Sequence, residues 1–271
     1  MIKELTALRG VFILFIFFHH CLEIYPGGGS MAVTFFFVLG GFSMTLGYKE
    51  RLMRSNFSYR QYIIRRCIKF YPLHWLCLIA VLPLVPFVFD WKHLVVLFSN
   101  VALMHTLIPV RDFYFSYNSV SWYLADTIFF AILFPFILRW ILKTSTIIKT
   151  IAIILFVVLY VLVAVRIPQT LYHSVLYISP YMRLYDFVLG IILALVYLKI
   201  KNDLSNLKWR NANIILTIAI LVLISALVLE SCYLDEYLRL IAPVYWPIIV
   251  TVIFATTTLN SVSGGGQFVA E

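Results

Sequence analysis

Apolar runs close to the length of a bilayer crossing recur along this chain, and the loops between them are short. Leu8–Ile24, Met31–Tyr48, Phe70–Phe89, Ser121–Leu138, Ile151–Val165 and Met182–Leu198 are such runs. The hydrocarbon core of a bilayer is about 30 Å thick and takes roughly 20 helical residues. No water reaches it, so only helices or closed barrels satisfy their backbone polar groups there. Composition points the same way. The 271 residues are 63% hydrophobic and 12% charged, with a mean hydropathy of +0.97, whereas soluble domains carry about 25% charge. The sequence predicts an all-α, polytopic integral membrane helix bundle.

The placement of charge orients it. A net charge of +9 would suit nucleic acid, but the Lys and Arg residues lie in loops between apolar runs, which is the topology signal of membrane proteins. Nucleic acid is therefore excluded as a partner, and membrane lipids are expected. Residues 49–69 carry Lys49, Arg51, Arg54, Arg60, Arg65, Arg66 and Lys69 against the single acid Glu50. That segment and the N-terminus are placed in the cytoplasm. Leu94–Val110 is interrupted by Ser99, Asn100 and His105 and stops beside Pro109. Read as a re-entrant or interfacial segment, it leaves Arg139, Lys143 and Lys149 on the cytoplasmic side. Farther on, basic Lys199, Lys201, Lys208 and Arg210 alternate with acidic Glu230, Asp235 and Glu236, between the apolar stretches Ile214–Leu229 and Leu240–Thr256. From these eight apolar runs the expectation is about seven spans plus that one segment. The first run lacks a small-residue cleavage site and does not read as a signal peptide. The four cysteines have no paired spacing, which argues against a disulfide framework and a metal site.

Ionisable groups inside apolar spans are costly and are functional candidates by default. Arg9 and His20 both lie in the first run. On one helix they stand about 16 Å apart along the axis and within about 20° of one face. A membrane anchor with a snorkelling Arg and a helix-end His is the plainer alternative. Glu23 follows His20 by one turn, Trp122 and Asp126 are related by i,i+4, and Arg183 and Asp186 by i,i+3. Such pairs are neighbours on a helix. The topology gathers these residues toward the outer half of the bundle. On the inner side, Arg65 and Arg66 precede the span beginning near Phe70. They serve either as a topology determinant or as a docking patch for a phosphate-rich cytosolic ligand, for which Arg is well shaped. Gly40 and Gly41 permit close helix approach or a local break.

Taken together these motifs resemble the membrane-bound acyltransferase-3 family of bacterial sugar and polysaccharide O-acyltransferases. Arg9 and His20 fit its signature of a cation, ten residues and a His. Phe36–Phe42 resembles its FFxxSGF motif with Gly40 at the usual Ser. Arg65-Arg66-Cys67-Ile68-Lys69-Phe70-Tyr71-Pro72 is similar to RRxxRxxP with Lys69 at the last Arg. Ser121–Pro135 is similar to its W-x-L…E…FY…P segment, with Thr127 at the usual Glu and Asp126 beside it, and Ser179–Gly190 resembles its P-x-x-R…F…G segment.

The resemblance implies one transmembrane acyltransferase-like domain over residues 1–271 in the cell inner (plasma) membrane. Family members continue for further C-terminal spans, and this chain is expected to lack them. It implies an acyl-coenzyme A donor (acetyl-coenzyme A above all), no metal, and a glycan or lipid-linked sugar acceptor. His20 would act as general base or as transient acyl carrier, with Asp126 in a catalytic role. Arg9, Arg65, Arg66 and Lys69 would hold the donor, and Glu23, Trp122, Arg183 and Asp186 the acceptor. Asp126, Glu23 and Asp186 remain alternatives for orienting His20. His19 faces about 100° away from His20 and reads as a packing residue or as one that supports the site from behind. The competing functions are a transporter or flippase for an envelope precursor and a truncated, inactive relative.

Overall fold

The computed structural model describes residues 3–21, 28–85, 89–204 and 246–258, whose regular structure is helical throughout. The helices are α1 (Lys3–Cys21), α2 (Gly28–Met53), α3 (Tyr59–Val81), α4 (Trp91–Val101), a single turn α5 (Arg111–Tyr114), α6 (Trp122–Lys143), α7 (Thr146–Arg166), α8 (Pro180–Leu204) and α9 (Trp246–Thr258). Among the described residues, five helices are long and apolar enough to cross a membrane, within α2, α3, α6, α7 and α8. Leu5–Cys21 and Trp246–Thr258 form shorter apolar helices. The predicted run Ile214–Leu229 and the first residues of Leu240–Thr256 lie outside the described residues. Two compact units divide the chain, residues 1–46 with 186–271 and residues 47–185.

In the first unit, Phe12 of α1 stacks on Phe35 of α2 with ring centroids 3.9 Å apart. Phe42, Trp246 and Phe254 belong to the same core. The crossing of α2 and α8 is set by glycine. A Cβ added at Gly41 would overlap the Phe187 carbonyl oxygen, and one at Gly190 would overlap that of Val38. Small residues of this kind let membrane helices approach closely where no hydrophobic force drives them together. At Gly40 an added Cβ meets only the Phe187 ring, at 3.8 Å.

The second unit corrects one boundary. Residues 49–69 are no loop: α2 runs to Met53, and α3 starts at Tyr59, where the Ser58 side chain accepts from the Gln61 N–H. That cap begins the helix well before the apolar run, so Arg65, Arg66 and Lys69 stand on α3 itself.

Helix α6 carries Pro135, which has no N–H and leaves the carbonyl four residues earlier without its helical donor. That carbonyl belongs to Ala131, and the buried Tyr62 hydroxyl of α3 donates to it at 2.7 Å. Tyr59 donates to the neighbouring Ile132 carbonyl at 3.2 Å.

Helix α4 has 11 residues, about 16 Å, half the thickness of a bilayer core. Asp90 caps its start by accepting from the His93 N–H at 2.7 Å. The carbonyls at its other end are met by donors on α3. His74 Nε2–H donates to Asn100 O at 2.9 Å, Trp75 Nε1–H to Val101 O at 3.0 Å, and the Tyr71 hydroxyl to Ala102 O at 2.7 Å. A helix ending away from water needs such partners for its orphan carbonyls. The chain then turns at Leu103, with φ at 52°. Leu103 N–H bonds Asn100 O and Met104 N–H bonds Ser99 O, a Schellman closure. Of the apolar stretch Leu94–Val110, the helix covers only the part up to Val101.

Candidate functional site

Arg9 and His20 lie on one continuous helix, α1, as their spacing requires. The Arg9 guanidinium donates to the Ser43 hydroxyl at 3.4 Å. His19 and His20 part ways. The His19 imidazole lies against Gly29, where an added Cβ would come within 3.0 Å of the ring. His20 is exposed, with its ring centroid 5.2 Å from that of His19. Adjacent helical positions point about 100° apart, so one imidazole serves packing and leaves the other unburied. Glu23 lies outside the described residues. Asp186 belongs to the same unit as α1 and is buried on α8.

In the second unit, Arg65 and Lys69 are exposed on the first turns of α3. Arg66 is held differently. Its guanidinium lies 4.9 Å from the Tyr48 ring centroid and 5.6 Å from that of Tyr62. Arg51 stacks on Tyr48 at 5.9 Å and Arg139 on Phe57 at 5.3 Å. Cation–π contact fixes a guanidinium without neutralising it. The positive charge of this end of the unit is thus held on aromatic faces.

The second unit also holds a buried polar centre. Asp126, one turn into α6, is wholly buried, as is Arg183 at the start of α8. The Tyr177 ring lies between Trp122, 5.2 Å between centroids, and the Arg183 guanidinium, 5.5 Å from its centroid. Tyr177 stands on a π-helical turn, His173–Ile178, a rare form that frequently occurs at functional sites. Burial pushes its phenol up to about 12. The Thr106 hydroxyl lies beside the Asp126 carboxyl group, and the Arg183 charge acts on the same group. His105 Nε2 and the Ser121 hydroxyl are 3.3 Å apart, while Ser121 donates to Asn118 O at 2.6 Å. Burial, with His74 close by, pulls the His105 imidazole down to about 4. His105 is therefore neutral at neutral pH.

Of the residues predicted from sequence, the structure brings together Trp122, Asp126 and Arg183, and separately Arg65, Arg66 and Lys69. The second unit adds His74, His105, Thr106, Ser121 and Tyr177 to the buried centre. The only sequence signal for them was the interruption of the apolar stretch at Ser99, Asn100 and His105. Among the described residues, no group of three or more His, Cys, Asp or Glu is placed to hold a metal ion.

The polar residues thus recur at the family motifs, Arg9 and His20 on α1, the basic turn of α3, and Trp122 with Asp126 on α6. The model of the acyltransferase-3 family, described as an acyltransferase domain, matches residues 2–263. The chain belongs to the acyltransferase-3 family. With its five long apolar helices, this acyltransferase is a membrane protein. No significant match is found among curated proteins or among solved structures.

Proposed function

We propose that this acyltransferase moves an acyl group, acetyl above all, from acyl-coenzyme A to a sugar hydroxyl of a cell-envelope glycan or lipid-linked sugar in the inner membrane. The observation that carries the reading is the division of labour on α1: Arg9 and His20 share a helix, and His20 is exposed while His19 is packed on Gly29.

A sugar hydroxyl is a weak nucleophile. As its oxygen attacks the thioester carbonyl, a neutral imidazole within hydrogen-bond reach takes its proton. The tetrahedral intermediate then collapses, the carbon–sulfur bond breaks, and the proton passes to the departing thiolate. His suits this task because its unperturbed pKa lies near neutrality. The second route has His20 Nε2 or Nδ1 acylated first and the hydroxyl attacking that carbonyl in turn. On the donor side, the phosphates of coenzyme A carry the charge that Arg9, Arg65, Arg66 and Lys69 complement. Glu23, Trp122, Arg183 and Asp186 are assigned to the acceptor, and Asp126, Glu23 and Asp186 are the alternative acids for orienting His20 or binding the sugar. A carboxyl group accepts hydroxyl protons, and an aromatic face covers a sugar ring.

Membranes containing the protein, supplied with acetyl-labelled coenzyme A and envelope glycan, test this directly. Label appearing in the glycan as a base-labile ester supports it. Absence of transfer, with precursor translocation instead, would favour a transporter.

A further inference from the structure

The turn after α4 is strained. Leu103 has φ at 52°, a conformation that glycine adopts freely and a leucine adopts at a cost of about 1 kcal/mol or more. Strain of this kind persists only where the surroundings over-determine it. Here they do so from every side. Leu103 is buried with Ala125 and Ile128 of α6, three α3 side chains hold the carbonyls just before it, and Tyr181 donates to Leu107 O at 3.3 Å just after it. What the turn delivers is His105 and Thr106, 0% and 1% exposed, against Ser121 and Asp126 of the α6 start. The Thr106 hydroxyl forms no hydrogen bond of good geometry, and neither does either carboxyl oxygen of the adjacent Asp126. Buried polar groups seldom stay so.

We infer that Thr106 is a positioning residue for Asp126: its hydroxyl donates to one carboxyl oxygen and so sets the orientation of the group, while the His105–Ser121 contact fixes the turn that carries it. The inference rests on the role given to Asp126 above, but its structural half stands apart from activity. Thr106 is one methyl larger than Ser and isosteric with Val, so the hydroxyl is removed or kept at nearly constant shape.

The test compares the wild-type protein with Thr106→Val, Thr106→Ser and Thr127→Val, the last a control because Thr127 Oγ1 donates to its own helix at Tyr123 O, 2.8 Å. Each is assayed for transfer from acetyl-coenzyme A. Each is also examined by isotope-edited infrared spectroscopy of the Asp126 carboxyl group, its band assigned by its loss in Asp126→Asn. Thr106→Val should shift the band and raise the acceptor KM or lower kcat by up to about tenfold, the upper worth of one ordinary buried hydrogen bond, with donor KM unchanged. Thr106→Ser should restore both, and Thr127→Val should move neither. A band unmoved in Thr106→Val overturns the inference whether or not the protein transfers acyl groups. So does a Thr106→Ser variant as impaired as Thr106→Val, which would leave only a packing role. A shifted band in a protein that transfers nothing upholds the positioning and removes the acyltransfer reading alone.

Discussion

Replacing Tyr62 by Phe removes one oxygen from the interior of the second unit and nothing else. The phenol donates at 2.7 Å to Ala131 O, the carbonyl that Pro135 deprives of its helical partner. In water-soluble proteins an orphaned buried carbonyl costs about 1–3 kcal/mol. Side-chain hydrogen bonds inside membranes average about 0.6 kcal/mol and reach about 1.7 kcal/mol. Because no second donor serves Ala131 O by helix geometry, the upper part of that range is expected, about 1.5 kcal/mol. The assay is unfolding in mixed detergent micelles across a denaturing-detergent gradient, read by circular dichroism. Pro135→Ala supplies the missing N–H, so in that background Tyr62→Phe should cost far less, and the double-mutant cycle should return a coupling near 1 kcal/mol. Tyr59→Phe, whose bond to Ile132 O is longer at 3.2 Å and exposed, should stay within about 0.5 kcal/mol of wild type. Equal costs for Tyr62→Phe with and without Pro135 would refute the reasoning, since the bond would then have nothing to do with the proline.

The other expectations are narrower. Gly41→Ala should destabilise the first unit by at least the 1–3 kcal/mol typical of overpacking, because its methyl would meet the Phe187 backbone; Gly40→Ser, which meets only a ring edge, should be tolerated, and folded yield with thermal melting in detergent checks both. Acid should weaken the fold. His105 sits near pKa 4 in the native state against an ordinary 6.5, so the unfolded chain binds more protons between those values and stability falls as pH drops through that window, by on the order of 1–3 kcal/mol. His105→Gln should flatten that part of the pH–stability curve measured by the same unfolding assay. Arg65→Ala should weaken acyl-coenzyme A binding with little loss of stability, whereas Arg66→Ala should cost both, because Arg66 is stacked on Tyr48 and Tyr62. Raised salt should weaken the wild-type affinity, as isothermal titration would show.

The helical class was legible because apolar run length leaves few alternatives, and Arg9 and His20 were legible because a fixed separation on a helix is geometry. The split between His19 and His20 followed from the same 100° step, and Gly29 supplies its structural counterpart. The helix start at Tyr59 lies outside the apolar pattern, and its only local mark is the Ser58 cap. His105 and Thr106 were hidden for a deeper reason. They reach Asp126 through a left-handed turn at a leucine, where no glycine marks the backbone in sequence. Tyr62 and Ala131 meet across 69 positions, and nothing local to either announces the contact, although Pro135 predicts that some donor must be found. Residues 22–27 and 205–245, with Glu23 among them, lie outside the described residues, so the acceptor role given to Glu23 stands on sequence alone.

The central claim is that His20 carries the acyl transfer. The most direct measurement is the single-turnover rate of acyl transfer from labelled acetyl-coenzyme A to envelope glycan for wild type, His20→Ala and His19→Ala in matched membranes, with insertion checked by labelling. His20→Ala should be slower by on the order of 10²–10⁴-fold, the usual worth of a general base. His19→Ala should retain most of the rate, with some loss of stability from the contact with Gly29. Wild-type transfer by His20→Ala, or an inactive His19→Ala beside it, would contradict the account.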